Sequence, residues 1–257
     1  MPDALGWRKK MAVIAPSTNT IVQPDFDDMR PPGVTNHFSR VWIANDPVES
    51  DEDFLRLMEN IRAGIDDAVD RVLTCVPDYL VMGMSSETFW GGLKTSIELR
   101  ERLEKRSGLG VAMGSDATQA ALRCYGDIKR IGVVTPYWPP GDEMVRTYSE
   151  ECGFEVVRLR GLKARSPELI AHITEDELRE ALIGVDGPDV DAIVQTGTNL
   201  SMARLAGEAE RWLNKPVIAI NTAIYWYALR SNGIDDAVEG FGTLLTHFRE
   251  LPASSRR

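Results

Sequence analysis

The sequence predicts an α/β protein of two similar lobes, each a parallel sheet covered by helices. Two observations lead there. Apolar, strand-like runs alternate with helical periods along the chain, and alternation on this scale places helices on the faces of parallel sheets. The pattern then restarts midway: "RIGVVTPY" has the form of "KKMAVIAPST", a basic start, an apolar strand, then proline and hydroxyls. The 257 residues suffice for two lobes of roughly 100 to 130 residues with filled cores. The expected division is 1–115 with 223–257 for the first lobe and 116–222 for the second, the last helix returning to the first.

In chain order, "KKMAVIAP" reads as the first strand, followed by the turn Ser17–Thr20 and a helix near Asp25. "HFSRVWI" is the second strand, headed by His37. A long helix from Asp51 to Leu73 follows, with Phe54, Met58, Ile61, Ile65, Ala68 and Val72 on one face. "YLVM" is the third strand, Leu93 to Arg106 a charged helix, and "GVAM" the fourth strand, with Ser115 capping a helix to Tyr125. After "RIGVVTPY" come a helix from Asp142 to Cys152, strand "FEVVRL", a helix over Asp176–Ile183 and strand "DAIVQT". Helix "NLSMARLAGEAERWL", strand "PVIAI" and helix "NTAIYWYALRSNG", stopped by Gly233, complete the second pattern. The tail "PASSRR" is expected to fray.

Net charge is −10, with no stripe of Lys and Arg, which argues against nucleic acid or an anionic membrane as partner. A small carboxylate stays open, because local donors rather than total charge decide its binding. No apolar run approaches a membrane span and no targeting segment is evident. Cys75, Cys124 and Cys152 are an odd, well-separated set without metal spacing, as expected of reduced structural thiols in the cytoplasm. His37, His172 and His247 have no metal-ligand neighbour at helical spacing. No metal site is expected.

Ligands of parallel sheets lie beyond the carboxyl ends of strands. There the chain carries Ser17-Thr18-Asn19, Ser85-Ser86-Glu87-Thr88, Thr135-Pro136-Tyr137, Thr196-Gly197-Thr198-Asn199 and Asn221-Thr222. Any one such turn could simply cap the helix after it. Five together point to a cleft of backbone N–H groups and neutral donors suited to a carboxylate or an oxyanion. Phe89, Trp90, Met84, Trp138 and Trp226 offer apolar material for a pocket or for the core.

"VIAPSTNTIVQPDF", "VVTPY", "QTGTNL" and "INTAIYW" resemble the aspartate/glutamate racemase superfamily, in its maleate cis–trans isomerase and arylmalonate decarboxylase branch. The resemblance runs from about Arg8 to Phe248. It implies two pseudo-symmetric Rossmann-like lobes with the active site between them, and no metal or organic cofactor. It also implies that Asn19, Tyr137 and the loop hydroxyls bind a substrate carboxylate. The racemases and isomerases of that group use one cysteine per lobe. The matching positions here hold Met84 and, in a "TGTNL" where the pattern has "SCTNL", Gly197.

Without those thiols, covalent addition has no nucleophile and two-thiol racemisation lacks its acid and base. Decarboxylation of an activated acid fits what remains: a cradle for one carboxylate, an apolar pocket for the departing one, and an enediolate held by the cradle. Tyr137, Glu87 and Ser85 are the candidate catalytic residues. Ser17, Thr18, Asn19, Met84, Ser86, Thr135, Thr196, Gly197, Thr198 and Asn199 are the candidate binding residues. Glu87 has the alternative role of a helix-capping acid. The expected function is a cofactor-free lyase acting on a small carboxylic or dicarboxylic acid, with a homodimer left open. The alternatives are a cysteine-independent isomerase or racemase, a serine-based hydrolase lacking a visible base and the G-x-S-x-G turn, and a small-acid binding protein that has lost catalysis.

Overall fold

The computed structural model describes residues 3–253; the end of the expected frayed tail, from residue 254, lies outside the described residues. Two four-stranded parallel sheets form the frame. In chain order the elements are β1 (Lys9–Pro16), α1 (Val22–Asp28), β2 (Val34–Val41), α2 (Asp51–Leu73), β3 (Tyr79–Met82), α3 (Ser86–Phe89), α4 (Gly92–Ser107), β4 (Val111–Ala112), α5 (Gly114–Cys124) and β5 (Arg130–Thr135). Then come α6 (Pro139–Glu151), β6 (Glu155–Gly161), a 3-10 turn (Leu169–His172), α7 (Glu175–Val185), β7 (Ala192–Gln195), α8 (Ala203–Leu213), β8 (Val217–Ala219), α9 (Ile220–Ser231) and α10 (Thr243–His247). The sheets have orders β2-β1-β3-β4 and β6-β5-β7-β8, the same order twice, with every pairing parallel. The expected repeat of form is thus a repeat of topology.

Side-chain alternation explains how the second sheet is covered. Ile131, Val133, Ala192, Val194 and Ile218 join the large central core shared with the first sheet. Their neighbours Val134, Ile193, Val217 and Ala219 point the other way, into a smaller cluster with α7 and α8. Helix α9 lies in the central core, entirely apolar or aromatic from Ala223 to Leu229 and buried along that length. It packs on α5, β3 and β4. The Trp226 indole N–H donates to the Phe248 carbonyl at 2.9 Å.

Helix α2 has the limits its periodicity predicts. Ser50 Oγ accepts the Asp53 N–H at 3.2 Å, and Asp51, Glu52 and Asp53 stand at the positive end of the helix dipole. Other limits differ from the sequence reading. β2 begins at Val34 rather than His37 because all eight of its residues pair with β1. His37 is therefore internal to the strand. Ser115 does not cap α5: that helix starts at Gly114, and Ser115 is buried with its hydroxyl on Ser96 at 2.8 Å. The Ser115 N–H is met instead by Thr88 Oγ1 at 3.2 Å. α6 starts three residues early because Pro139 and Pro140 fill its first turn, where a missing N–H costs nothing. α8 starts at Ala203, not Asn199; the residues before it have a different task.

Candidate active site

The inner strands β1, β3, β5 and β7 all end at the same edge of the molecule, and their turns meet in one cleft between the sheets. Thr18, Asn19, Met84, Ser85, Ser86, Tyr137, Gly197, Thr198 and Asn199 line it. The cleft is narrow, with about 70 Å³ of space open to water, and no charged side chain lines it.

The floor is a network of neutral donors that crosses between the sheets. Ser85 Oγ and the Tyr137 hydroxyl share a buried hydrogen bond of 2.8 Å, and the Gly197 N–H donates to the same Ser85 oxygen at 3.0 Å. Whichever hydroxyl donates in the Ser85–Tyr137 pair, the other keeps a proton for a ligand. Asn19 Nδ2 donates to Thr198 Oγ1 at 2.9 Å, and that hydroxyl donates to the Gly83 carbonyl at 3.1 Å. Asn199 Oδ1 accepts the Thr20 N–H at 3.0 Å, while its Nδ2 donates to the Pro167 carbonyl at 3.0 Å. These bonds explain why α8 begins late: Thr198 and Asn199 brace the opposite lobe instead of entering a helix.

Gly197 adopts φ 97°, a conformation that favours glycine. A β-carbon there would lie 2.4 Å from both Cδ and Cγ of Pro136, so the turn after β7 presses directly on the residue preceding Tyr137.

The walls are apolar. Ile43, Val48, Phe54, Leu57, Met58, Ile61 and Ile170 surround the polar floor, and the Phe54 ring lies 5.8 Å from that of Tyr137. Three of these residues, Phe54, Met58 and Ile61, belong to the apolar face of α2. That face is legible as a stripe, but a stripe does not tell core from cleft. Two loops close the mouth from opposite sides. The Val48 N–H donates to the Arg165 carbonyl at 2.7 Å, and the Glu168 N–H to Asn45 Oδ1 at 3.1 Å.

Four expected site residues do not line the cleft. Ser17 Oγ accepts the Ile43 N–H at 3.1 Å and shapes the end of β2. Thr135 and Thr196 are buried behind Tyr137. Glu87 turns toward α2, where Arg62 Nε and one terminal nitrogen hold its two oxygens at 3.0 Å each. Burial raises the Glu87 carboxyl above its ordinary range, and the Arg62 bonds pull it back. Asn221 also lies beneath the floor, on α9. Phe89 and Trp226 belong to the core, and Met84 lines the cleft.

Tyr137 is the one titratable side chain in the lining. Burial holds its hydroxyl well above the usual phenol range; the Ser85 hydroxyl opposes this, and the Asp142 charge adds to it. It is therefore a neutral hydrogen-bond donor at physiological pH. None of the three cysteines lines the cleft. Burial pushes Cys124 and Cys152 up to about 11, which keeps them protonated and poorly nucleophilic. The described residues contain no cluster of three or more His, Cys, Asp or Glu side chains able to hold a metal, and no helix among them is long and apolar enough to cross a membrane.

Comparison with known proteins matches residues 50–245 to the family model described as arylmalonate decarboxylase. The chain belongs to the arylmalonate decarboxylase family. Similar characterised proteins include the maleate isomerase of Pseudomonas putida, 24% identical over 92% of this chain and 97% of that protein. The arylmalonate decarboxylase of Bordetella bronchiseptica is 25% identical over 62% of this chain and 68% of its own. Among solved structures, a mutant of Nocardia farcinica maleate cis–trans isomerase with a covalently bound succinylcysteine intermediate superposes with a TM-score of 0.84. It is 24% identical and covers 93% of this chain and 99% of its own. The expected branch and two-sheet α/β fold are both borne out.

Proposed function

We propose that this member of the arylmalonate decarboxylase family is a cofactor-free lyase that decarboxylates a small activated dicarboxylic acid. The observation that carries the reading is the uncharged cleft: a floor of crossed neutral donors, apolar walls, and no thiol at Met84 or Gly197. One carboxylate sits against Ser85, Ser86, Tyr137 and the turn Gly197–Asn199. The other, in the apolar part of the cleft, leaves as CO₂ when its carbon–carbon bond breaks. The electron pair of that bond passes to the retained carboxylate, forming an enediolate. The donors stabilise the charge without reorganising, the kind of interaction that supplies several kcal/mol to a transition state. A proton then returns to carbon, and Tyr137 is the candidate donor, in contact with Ser85. Glu87, tied to Arg62, has no part in this scheme.

A second reading, cis–trans isomerisation of a small unsaturated diacid without a thiol, is favoured by the near full-length likeness to maleate isomerases. One experiment separates the two. Purified protein is incubated with a panel of substituted malonates and with maleate, while CO₂ and fumarate are followed. CO₂ release without fumarate supports the lyase; fumarate without CO₂ replaces it with the isomerase. Binding of acids with no turnover of any would leave a small-acid binding protein.

A further inference from the structure

Each half of the cradle rests on an acid that does not line the cleft. Behind Tyr137, the Thr135 hydroxyl accepts the Tyr137 N–H at 3.0 Å and itself donates to Asp142. Behind Thr198, Asn221 Nδ2 donates to the Thr198 carbonyl at 3.0 Å and to the Asp25 carboxylate at 2.8 Å. The two acids occupy equivalent places. Each stands in the first turn of the helix that follows the first strand, in chain order, of its sheet: Asp25 in α1 after β1 and Asp142 in α6 after β5.

An acid in a first helical turn usually needs no explanation beyond the helix dipole, which favours its charged form. Here both acids are half-buried. Burial pushes each carboxyl up to about 6, overcoming the hydrogen bonds from Asn221 and Thr135 that act the other way. An acid placed only to neutralise a helix end gains from being in water; these two have been moved out of it, toward the donors of the site.

We propose that Asp25 and Asp142 are paired positioning residues that set the charge behind the carboxylate cradle, so that the cleft holds its anion more tightly when they are neutral than when they are ionised. This rests on the reading that the cradle takes a carboxylate. An ionised Asp25 or Asp142 puts a negative charge behind donors that must hold another, and like charges in a poorly solvated site repel. The surroundings modulate this. Asp25 faces Asn221 of α9, with Arg204 of α8 softening the repulsion and Asp28 on its own helix adding to it. Asp142 faces Thr135, with Lys163 and Arg146 softening the repulsion, Asp51 of α2 adding to it, and the Tyr137 hydroxyl feeling its charge.

The test is calorimetric titration of the full-length protein with phenylacetate between about pH 5.5 and 8, a range in which that monocarboxylate stays ionised. Wild-type binding is expected to weaken roughly fivefold to tenfold as pH rises across the range. Asp25→Asn and Asp142→Asn should each remove part of that slope. The double variant should bind with a flat profile, near the low-pH affinity of wild type. A flat wild-type profile overturns the proposal, as does an unchanged slope in the double variant. So does a loss of affinity by the same factor at every pH, which marks a merely structural role. If binding is lost in Tyr137→Phe while the double variant keeps the slope, this inference fails and the carboxylate cradle stands. If neither phenylacetate nor any substituted malonate binds at any pH, both fall.

Discussion

The turns after β3 and β7 are one place in two copies of the same strand order, and they are built differently. The first places Met84, buried in the cleft lining, with an ordinary backbone. The second places Gly197 at φ 97°, with no room for a β-carbon against Pro136. A side chain at the first position is exchangeable in kind. At the second, the backbone itself makes the contact, its N–H donating to Ser85 Oγ. The two halves of the site thus differ in kind: one presents a side chain to the cleft, the other a backbone conformation that excludes one.

The largest expected effect tests that asymmetry. Gly197→Cys should lower stability by about 2–4 kcal/mol, combining left-handed strain with the overlap on Pro136, and should weaken carboxylate binding. Thermal melting and calorimetric titration read both. A variant as stable as wild type, with affinity intact, would mean that the turn is adaptable and the two positions equivalent. Met84→Cys, by contrast, removes two buried heavy atoms without backbone strain and should cost about 1–2 kcal/mol.

The two acids under the floor allow a second test, of stability rather than binding. Asp142 is raised from 3.8 to about 6, so the native state binds its proton more tightly than the unfolded chain does. Its contribution is therefore most favourable below about pH 4, is lost as pH rises toward 6, and stays lost above. Asp142→Asn is expected to be more stable than wild type at pH 8 by about 1–3 kcal/mol and to converge with it in acid. Denaturant melts at pH 8 and pH 4 check the sign; a variant less stable at pH 8 would show that the carboxylate, not the acid, is the favoured native form.

Similar in free energy, and closer to the chemistry, are the hydroxyls drawn from the two sheets. Tyr137→Phe and Ser85→Ala should each cost roughly tenfold to a hundredfold in ligand affinity, about 1–3 kcal/mol, with little change in melting temperature. If Ser85→Ala alone is damaging and Tyr137→Phe is silent, the site lies within the first sheet's turns and does not bridge the sheets.

How much of this was legible varies with the kind of signal. α2 was readable to both ends because periodicity and the Ser50 cap agree. The strand-end hydroxyls were readable because parallel sheets deliver them to one edge, and nine of them or their neighbours do line one cleft. The start of α8 was not, because Thr198 and Asn199 spend their polar groups on partners about 180 residues away in sequence, which no local pattern reports. The cleft wall left no separate mark because Phe54, Met58 and Ile61 continue the stripe that Ile65, Ala68 and Val72 complete in the interior. Glu87 drew attention as an acid in a polar loop; its partner Arg62 lies on another helix and left no local trace. Asp25 and Asp142 were passed over because an acid in a first helical turn is commonplace, and what sets these two apart is burial.

The central claim is a carboxylate cradle that works without a thiol, and removing all three thiols tests it most directly. CO₂ release from a substituted malonate that the wild type turns over should be measured for the variant in which Cys75, Cys124 and Cys152 are all alanine. The rate is expected to stay within about twofold of wild type, with some loss of stability from the half-buried positions. Loss of turnover in a variant that keeps its fold and melting temperature would contradict the account and place the chemistry on a cysteine outside the cleft.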